Sequence, residues 1–92
     1  MASEKRSRIE IIQEIMSLVA QGHRKTRIMY GANLSYDMLV KYLDLLVEKG
    51  FITVDDKGRY AVTPTGSEFA RDLDRVTRHF RVDETPAPAM RL

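Results

Sequence analysis

Side chains able to do acid–base, nucleophilic or metal chemistry are sparse in this sequence. His23 and His79 are the only imidazoles and cysteine is absent. A zinc site needs three or four ligands at fixed spacing, and no such donor set exists here. No serine stands in a G-x-S-x-G elbow, and the five glycines are scattered, so no phosphate-cradling loop is formed. Neither an enzyme nor a cofactor is expected. What remains is cations. Arg24, Lys25 and Arg27, with Thr26 among them, stand at the start of a short helical pattern. There free N–H groups and the helix dipole add positive partial charge, so a phosphate can be clamped by side chains and backbone together. Ser35, Tyr36, Asp37 and Lys41 open the next helical pattern, placed to reach base edges or phosphates. Asp37 has two readings, a charge stabilising the helix start or an acceptor for a cytosine amino group. Lys57 and Arg59 form a second small basic site. Each of these cations taken singly reads as ordinary solvated charge.

Two helical patterns must hold these groups. Lys25 to Gly50 reads as a short helix, a tight turn with Gly31 and Asn33, a longer helix and a stop. Thr26 is expected to cap the short helix, and Ser35 the long one. Gly50 follows the last apolar-periodic residue, where a left-handed residue is needed. Two helices joined by a few residues containing Gly make a helix-turn-helix, whose second helix can enter a DNA major groove. In that helix Leu39, Leu43, Leu46 and Val47 form the main apolar stripe, with Met38, Tyr42 and Leu45 beside it.

Before this unit, Ile11, Ile12, Ile15, Leu18 and Val19 recur at helical spacing, and Ser7 with Glu10 makes a capping-box pattern. After it, Phe51–Val54 and Arg59–Val62 are β-type runs around an Asp55–Gly58 turn, a hairpin in the position of a wing. Phe51 and Val62 are expected to close the core, with Ile52 or Tyr60 helping. Thr63 and Pro64 then start a last helix. Phe69, Leu73, Val76 and Phe80 are spaced 4-3-4 along it, the seam of a coiled coil. That seam can join a second copy or pack on the chain's own core. The expected organisation is a basic arm at residues 1–6, a winged helix-turn-helix domain at 7–62, a dimerisation helix at 63–82 and a flexible tail at 83–92.

Composition sets the outer bounds. A chain of 92 residues makes one small domain and buries roughly two-thirds of its unfolded surface, so a partner subunit would help its core. An apolar share of 43% and a charged share of 30% fit a globular protein. The net charge is only +2, so any phosphate attraction depends on where the cations sit. No apolar run approaches the roughly 18 residues needed to span a bilayer. The start of the chain has no apolar core of a secretory signal. A cytoplasmic, nucleoid-associated location is the expectation.

The run from Arg6 to Phe80 resembles the small archaeal winged-helix DNA-binding proteins. The KTRIMYGANLSY segment and the VEKGFI and GRYAVTPTG pairing carry the resemblance. It implies a mainly α fold in the order helix, helix, helix, two-stranded wing, helix. It also implies a homodimer joined through an antiparallel coiled coil of the last helix, with Phe69, Leu73, Val76 and Phe80 at the seam. Its members are regarded as transcription regulators or chromatin-associated proteins. The helix opening at Ser35 would be the recognition helix, and Asp55–Gly58 the wing tip. Double-stranded DNA and a second copy are then the expected partners. The alternative is a protein-interaction module on the same fold, which joint exposure of Tyr36, Met38 and Tyr42 would favour.

Overall fold

The structure, a computed structural model, describes residues 6–84, with side-chain surroundings for residues 6–79. The expected arm apart from Arg6, and the tail from residue 85 onward, lie outside the described residues. Six elements follow in order: α1 (Arg8–Ala20), α2 (Lys25–Ala32), α3 (Tyr36–Glu48), β1 (Ile52–Val54), β2 (Tyr60–Val62) and α4 (Pro64–Glu84). Four helices and a two-stranded antiparallel hairpin make a winged helix. The hairpin pairs Ile52 with Val62 and Val54 with Tyr60.

Local sequence explains the boundaries. The Ser7 hydroxyl accepts from the Glu10 N–H while the Glu10 carboxylate accepts from the Ser7 N–H, a complete capping box. Ser35 accepts from the Met38 N–H and starts α3. Gly50, with φ of +81°, follows the C-cap Lys49 in the left-handed region that a Cβ would strain. Two boundaries differ from the sequence expectation. Arg24 is the N-cap of α2 with no side-chain hydrogen bond, and Thr26 lies inside the first turn. The α2 helix also runs on through Gly31 and Ala32, and the turn is carried by Asn33 alone in the left-handed conformation, φ 57°. Asn tolerates that region better than other non-glycine residues, so the helix can continue two residues further.

The core gathers Ile15, Met16 and Val19 of α1, Ile28 and Ala32 of α2, Leu39, Tyr42, Leu43 and Leu46 of α3, and Ile52 of β1. Ile52, rather than Phe51, is the fully buried residue of the hairpin. Phe51 instead stacks face to face on Phe69 of α4, with centroids 4.0 Å apart and planes 6° from parallel. Val47, expected in the main stripe, is exposed, as are Met38 and Leu45 on the other edge of α3.

The α3–β1 and β2–α4 junctions are tied together at Thr63. Its hydroxyl donates to the Gly50 carbonyl at 2.6 Å and accepts from the Gly66 N–H at 2.9 Å. Its own N–H donates to the Phe51 carbonyl at 3.0 Å. Gly66 sits so close to this loop that a Cβ on it would lie 1.9 Å from the Phe51 oxygen. From this anchor α4 packs on α1 and β2 and continues to Glu84, two residues past the expected end.

Candidate nucleic-acid interface

The second helix of the helix-turn-helix, α3, presents one line of side chains directly away from the core. Asp37, Lys41, Asp44 and Glu48 repeat at intervals of four, three and four and all are exposed. Three of the four are acids. On one flank of this line stand Tyr36, Val40 and Val47. On the other stand Met38, Lys41 and Leu45, with Lys41 shared between line and flank.

The Tyr36 flank meets the start of α2. The Lys25 ammonium lies 5.5 Å from the centroid of the Tyr36 ring, within cation–π range. Lys25 is half-buried, while Arg24, Thr26 and Arg27 around it are exposed. The expected phosphate clamp and the expected base-reading helix therefore adjoin through one specific contact. Ser35 is exposed and occupied as the α3 cap. Asp37 lies in the first turn of α3, where a negative charge complements the dipole.

The wing brings Lys57 and Arg59 to the same turn, but on unequal terms. Asp55 organises that turn, its carboxylate accepting from the Lys57 N–H at 2.9 Å, the Arg59 N–H at 2.9 Å and the Arg59 Nε at 2.8 Å. The Arg59 N–H above all, then its guanidinium and the Lys57 N–H, holds the Asp55 carboxyl below the usual carboxylate range. Arg59 is thus neutralised by Asp55, and among the described residues of the wing Lys57 is the cation without a carboxylate partner. Gly58, with φ of +79°, lets the chain turn between them.

Two other groups fall elsewhere than the sequence suggested. Arg6, read as part of a loose basic arm, is docked. Its guanidinium donates to the Ala32 carbonyl at 2.6 Å and pairs with Glu14, so it satisfies the C-terminal end of α2. Of the expected seam on α4, Phe69 is taken up by the stack on Phe51 and Leu73 is half-buried. Val76 remains 46% exposed beside the buried Thr77. Phe80 falls outside the residues whose side chains are described.

No group of three or more His, Asp or Glu side chains among the described residues is arranged to hold a metal ion. No helix among them is long and apolar enough to cross a membrane.

The sequence pattern of the family described as winged helix-turn-helix matches residues 5–80. The chain belongs to the winged helix-turn-helix family. Among its relatives, the uncharacterized protein MJ0287 of Methanocaldococcus jannaschii is 40% identical over 70 residues, covering 75% of this chain and 71% of the relative. A second from the same organism, MJ0290, is 38% identical over 77 residues, covering 83% of this chain and 36% of the relative. The chain thus spans about a third of that longer relative. Among solved structures, Sso10a-2, a DNA-binding protein from Sulfolobus solfataricus, superposes with a TM-score of 0.71 at 26% identity, over 83% of each chain. A MarR-family transcriptional regulator from Silicibacter pomeroyi matches with a TM-score of 0.61 at 22% identity, over 85% of this chain and 59% of that one, a likeness of fold. The resemblance read from KTRIMYGANLSY and GRYAVTPTG therefore rests on archaeal relatives and on a shared winged-helix fold.

Proposed function

We propose that this protein is a dimeric regulator that binds double-stranded DNA, with α3 in the major groove and the wing on the adjacent backbone. The observation that carries this reading is the Lys25–Tyr36 contact. It joins the cationic start of α2 to the exposed start of the second helix of a helix-turn-helix. Such a helix, about 10–12 Å across with its side chains, fits a major groove about 12 Å wide. Arg24, Lys25, Arg27 and Lys57 supply phosphate contacts, which set affinity and position. Tyr36 and Asp37 supply contacts with base edges, which set preference, and Lys41 is placed to reach a base edge or a phosphate.

DNA binding by Sso10a-2, which shares this fold over most of its length, supports the reading. The protein-interaction alternative wanted Tyr36, Met38 and Tyr42 exposed together, and Tyr42 is only 8% exposed. Dimerisation is assigned to the outer part of α4, where Leu73 and Val76 continue beyond the Phe51–Phe69 stack. A pair of α3 helices would then address half-sites about one helical turn, or a multiple, apart. The location that follows is the cytoplasm, on the nucleoid.

Fluorescence anisotropy with labelled duplex DNA across a salt series tests this directly. Binding should weaken with salt, with a log–log slope of about 0.9 for each phosphate neutralised. Absence of binding at low salt, or a flat slope, excludes the proposal.

A further inference from the structure

On the far side of α3 from Lys25, Arg8 of α1 and Lys41 of α3 line one open cleft of about 260 Å³, floored by Met38, Tyr42 and Leu45. Both cations stand at an exposed surface, and neither has a carboxylate within ion-pair distance among the described residues. Two like charges lining one cleft, with no carboxylate paired to either among the described residues, make it an anion-attracting surface.

Its position decides which anion. The outward line of α3 is acidic at Asp37, Asp44 and Glu48, so the centre of that helix repels phosphate. Cations stand to either side of it: Arg24, Lys25 and Arg27 beside Tyr36, and Arg8 with Lys41 beside Leu45. The two walls of a major groove are phosphodiester strands, and its floor carries the amino donors of adenine and cytosine among acceptor atoms of all four base pairs. Cations on both flanks of a helix are complementary to both walls, and its outward acids can accept only from those amino groups.

We propose that Arg8 and Lys41 clamp a backbone phosphate of the strand opposite the one held by Arg24, Lys25 and Arg27. Arg8 becomes a DNA-contacting residue supplied by α1, outside the helix-turn-helix and its wing. The apolar floor of Met38 and Leu45 lies against the sugar edge of that strand. Asp44 and Glu48 keep the C-terminal half of α3 from lying flat along either wall, so the helix enters by its N-terminal half. This inference rests on the DNA-binding reading above and adds to it a second wall contact.

Arg8 is suited to a clean test, because it occupies the first turn of α1, where a cation opposes the helix dipole. Arg8→Ala and Arg8→Glu should therefore leave the melting temperature of the protein unchanged or raised. Against labelled duplex, Arg8→Ala should lower the salt slope by about 0.9 per bound protomer and weaken binding about eightfold at 0.1 M salt. Arg8→Glu should weaken it further, and Arg8→Lys should retain most of the affinity. Lys25→Ala, on the other flank, is the comparator. If Lys25→Ala lowers the slope and Arg8→Ala does not, the second wall contact is refuted while DNA binding stands. If the unaltered protein itself shows no salt-dependent binding, both fall. Inorganic phosphate perturbing the Arg8 and Lys41 signals while Arg8→Ala binds DNA normally would make the cleft a small-anion site and also overturn the proposal.

Discussion

The Lys25 ammonium sits over the face of the Tyr36 ring, 5.5 Å from its centroid. This contact fixes the start of α2, where the helix dipole adds to the charge of Lys25 and Arg27, against the start of α3. A positive charge held over an aromatic face is worth about 0.5–1 kcal/mol at an exposed site. A double-mutant cycle of Lys25→Ala and Tyr36→Ala, read by urea unfolding, should therefore give a coupling of about that size. Tyr36→Phe should keep it, since the ring and not the hydroxyl carries the attraction. Additive single effects would show that the two residues are neighbours without interaction.

Gly66 is expected to be the most sensitive small residue in the chain. A methyl group there meets the Phe51 carbonyl oxygen at 1.9 Å, a backbone atom that Thr63 already holds through its N–H. Gly66→Ala should cost about 3 kcal/mol, at the upper end of the overpacking range. Gly31 is the control. Its added methyl would meet only the far end of the Leu18 side chain, which can move, and Ala is favoured over Gly in a helix by about 1 kcal/mol. Gly31→Ala should leave the urea midpoint within the equivalent of about 1 kcal/mol of the parent. Equal losses at both positions would refute this account of the loop.

The wing should respond to acid. The Asp55 carboxyl is held below its ordinary value by the Arg59 N–H, the Arg59 guanidinium and the Lys57 N–H. A lowered folded value means that this ordering is fully present above the ordinary carboxylate pKa of about 3.9. It is lost as pH falls through the lower folded value. The amide signals of Lys57 and Arg59 should titrate there, moving together, and should be flat with pH in Asp55→Asn. That variant should also free Arg59 from its pair at neutral pH.

Self-association should depend on the outer part of α4. Val76 is 46% exposed on a helix whose neighbouring Thr77 is buried, and Leu73 one turn before it is half-buried, so apolar surface remains on the outer part of α4. In solution the mass should be about twice 10.6 kDa, and Val76→Asp should bring it to the monomer. Phe69→Ala should instead lower stability, because its ring is stacked on Phe51 within one chain. A monomeric parent protein would remove the α4 assignment.

The helices were legible where a side chain does one local job. Ser7 and Ser35 cap because a hydroxyl before an apolar-periodic run has little else to do. Gly50 ends α3 because its φ is positive. What sequence could not give was competition between partners. Thr26 has the chemistry of a cap, but the chain enters α2 two residues earlier, and Arg24 takes the place without a side-chain bond. Arg6 and Arg59 read as free cations. Across long and short sequence separations respectively, they find the Ala32 carbonyl with Glu14, and Asp55. The acidic line of Asp37, Asp44 and Glu48 was present in the spacing, but its meaning needed the buried face of α3 to be known. Arg8 joins Lys41 only through the packing of α1 beside α3, which periodicity within one helix cannot reveal.

The most direct test is to titrate duplex DNA into the ¹⁵N-labelled protein and follow every backbone amide. The largest shifts should fall on Arg24–Arg27, Ser35–Lys41 and Lys57–Arg59, with Arg8 joining them and the buried Ile15 and Leu46 unmoved. Shifts confined to α4, or none at saturating DNA, would mean that the exposed start of α3 is not a nucleic-acid surface.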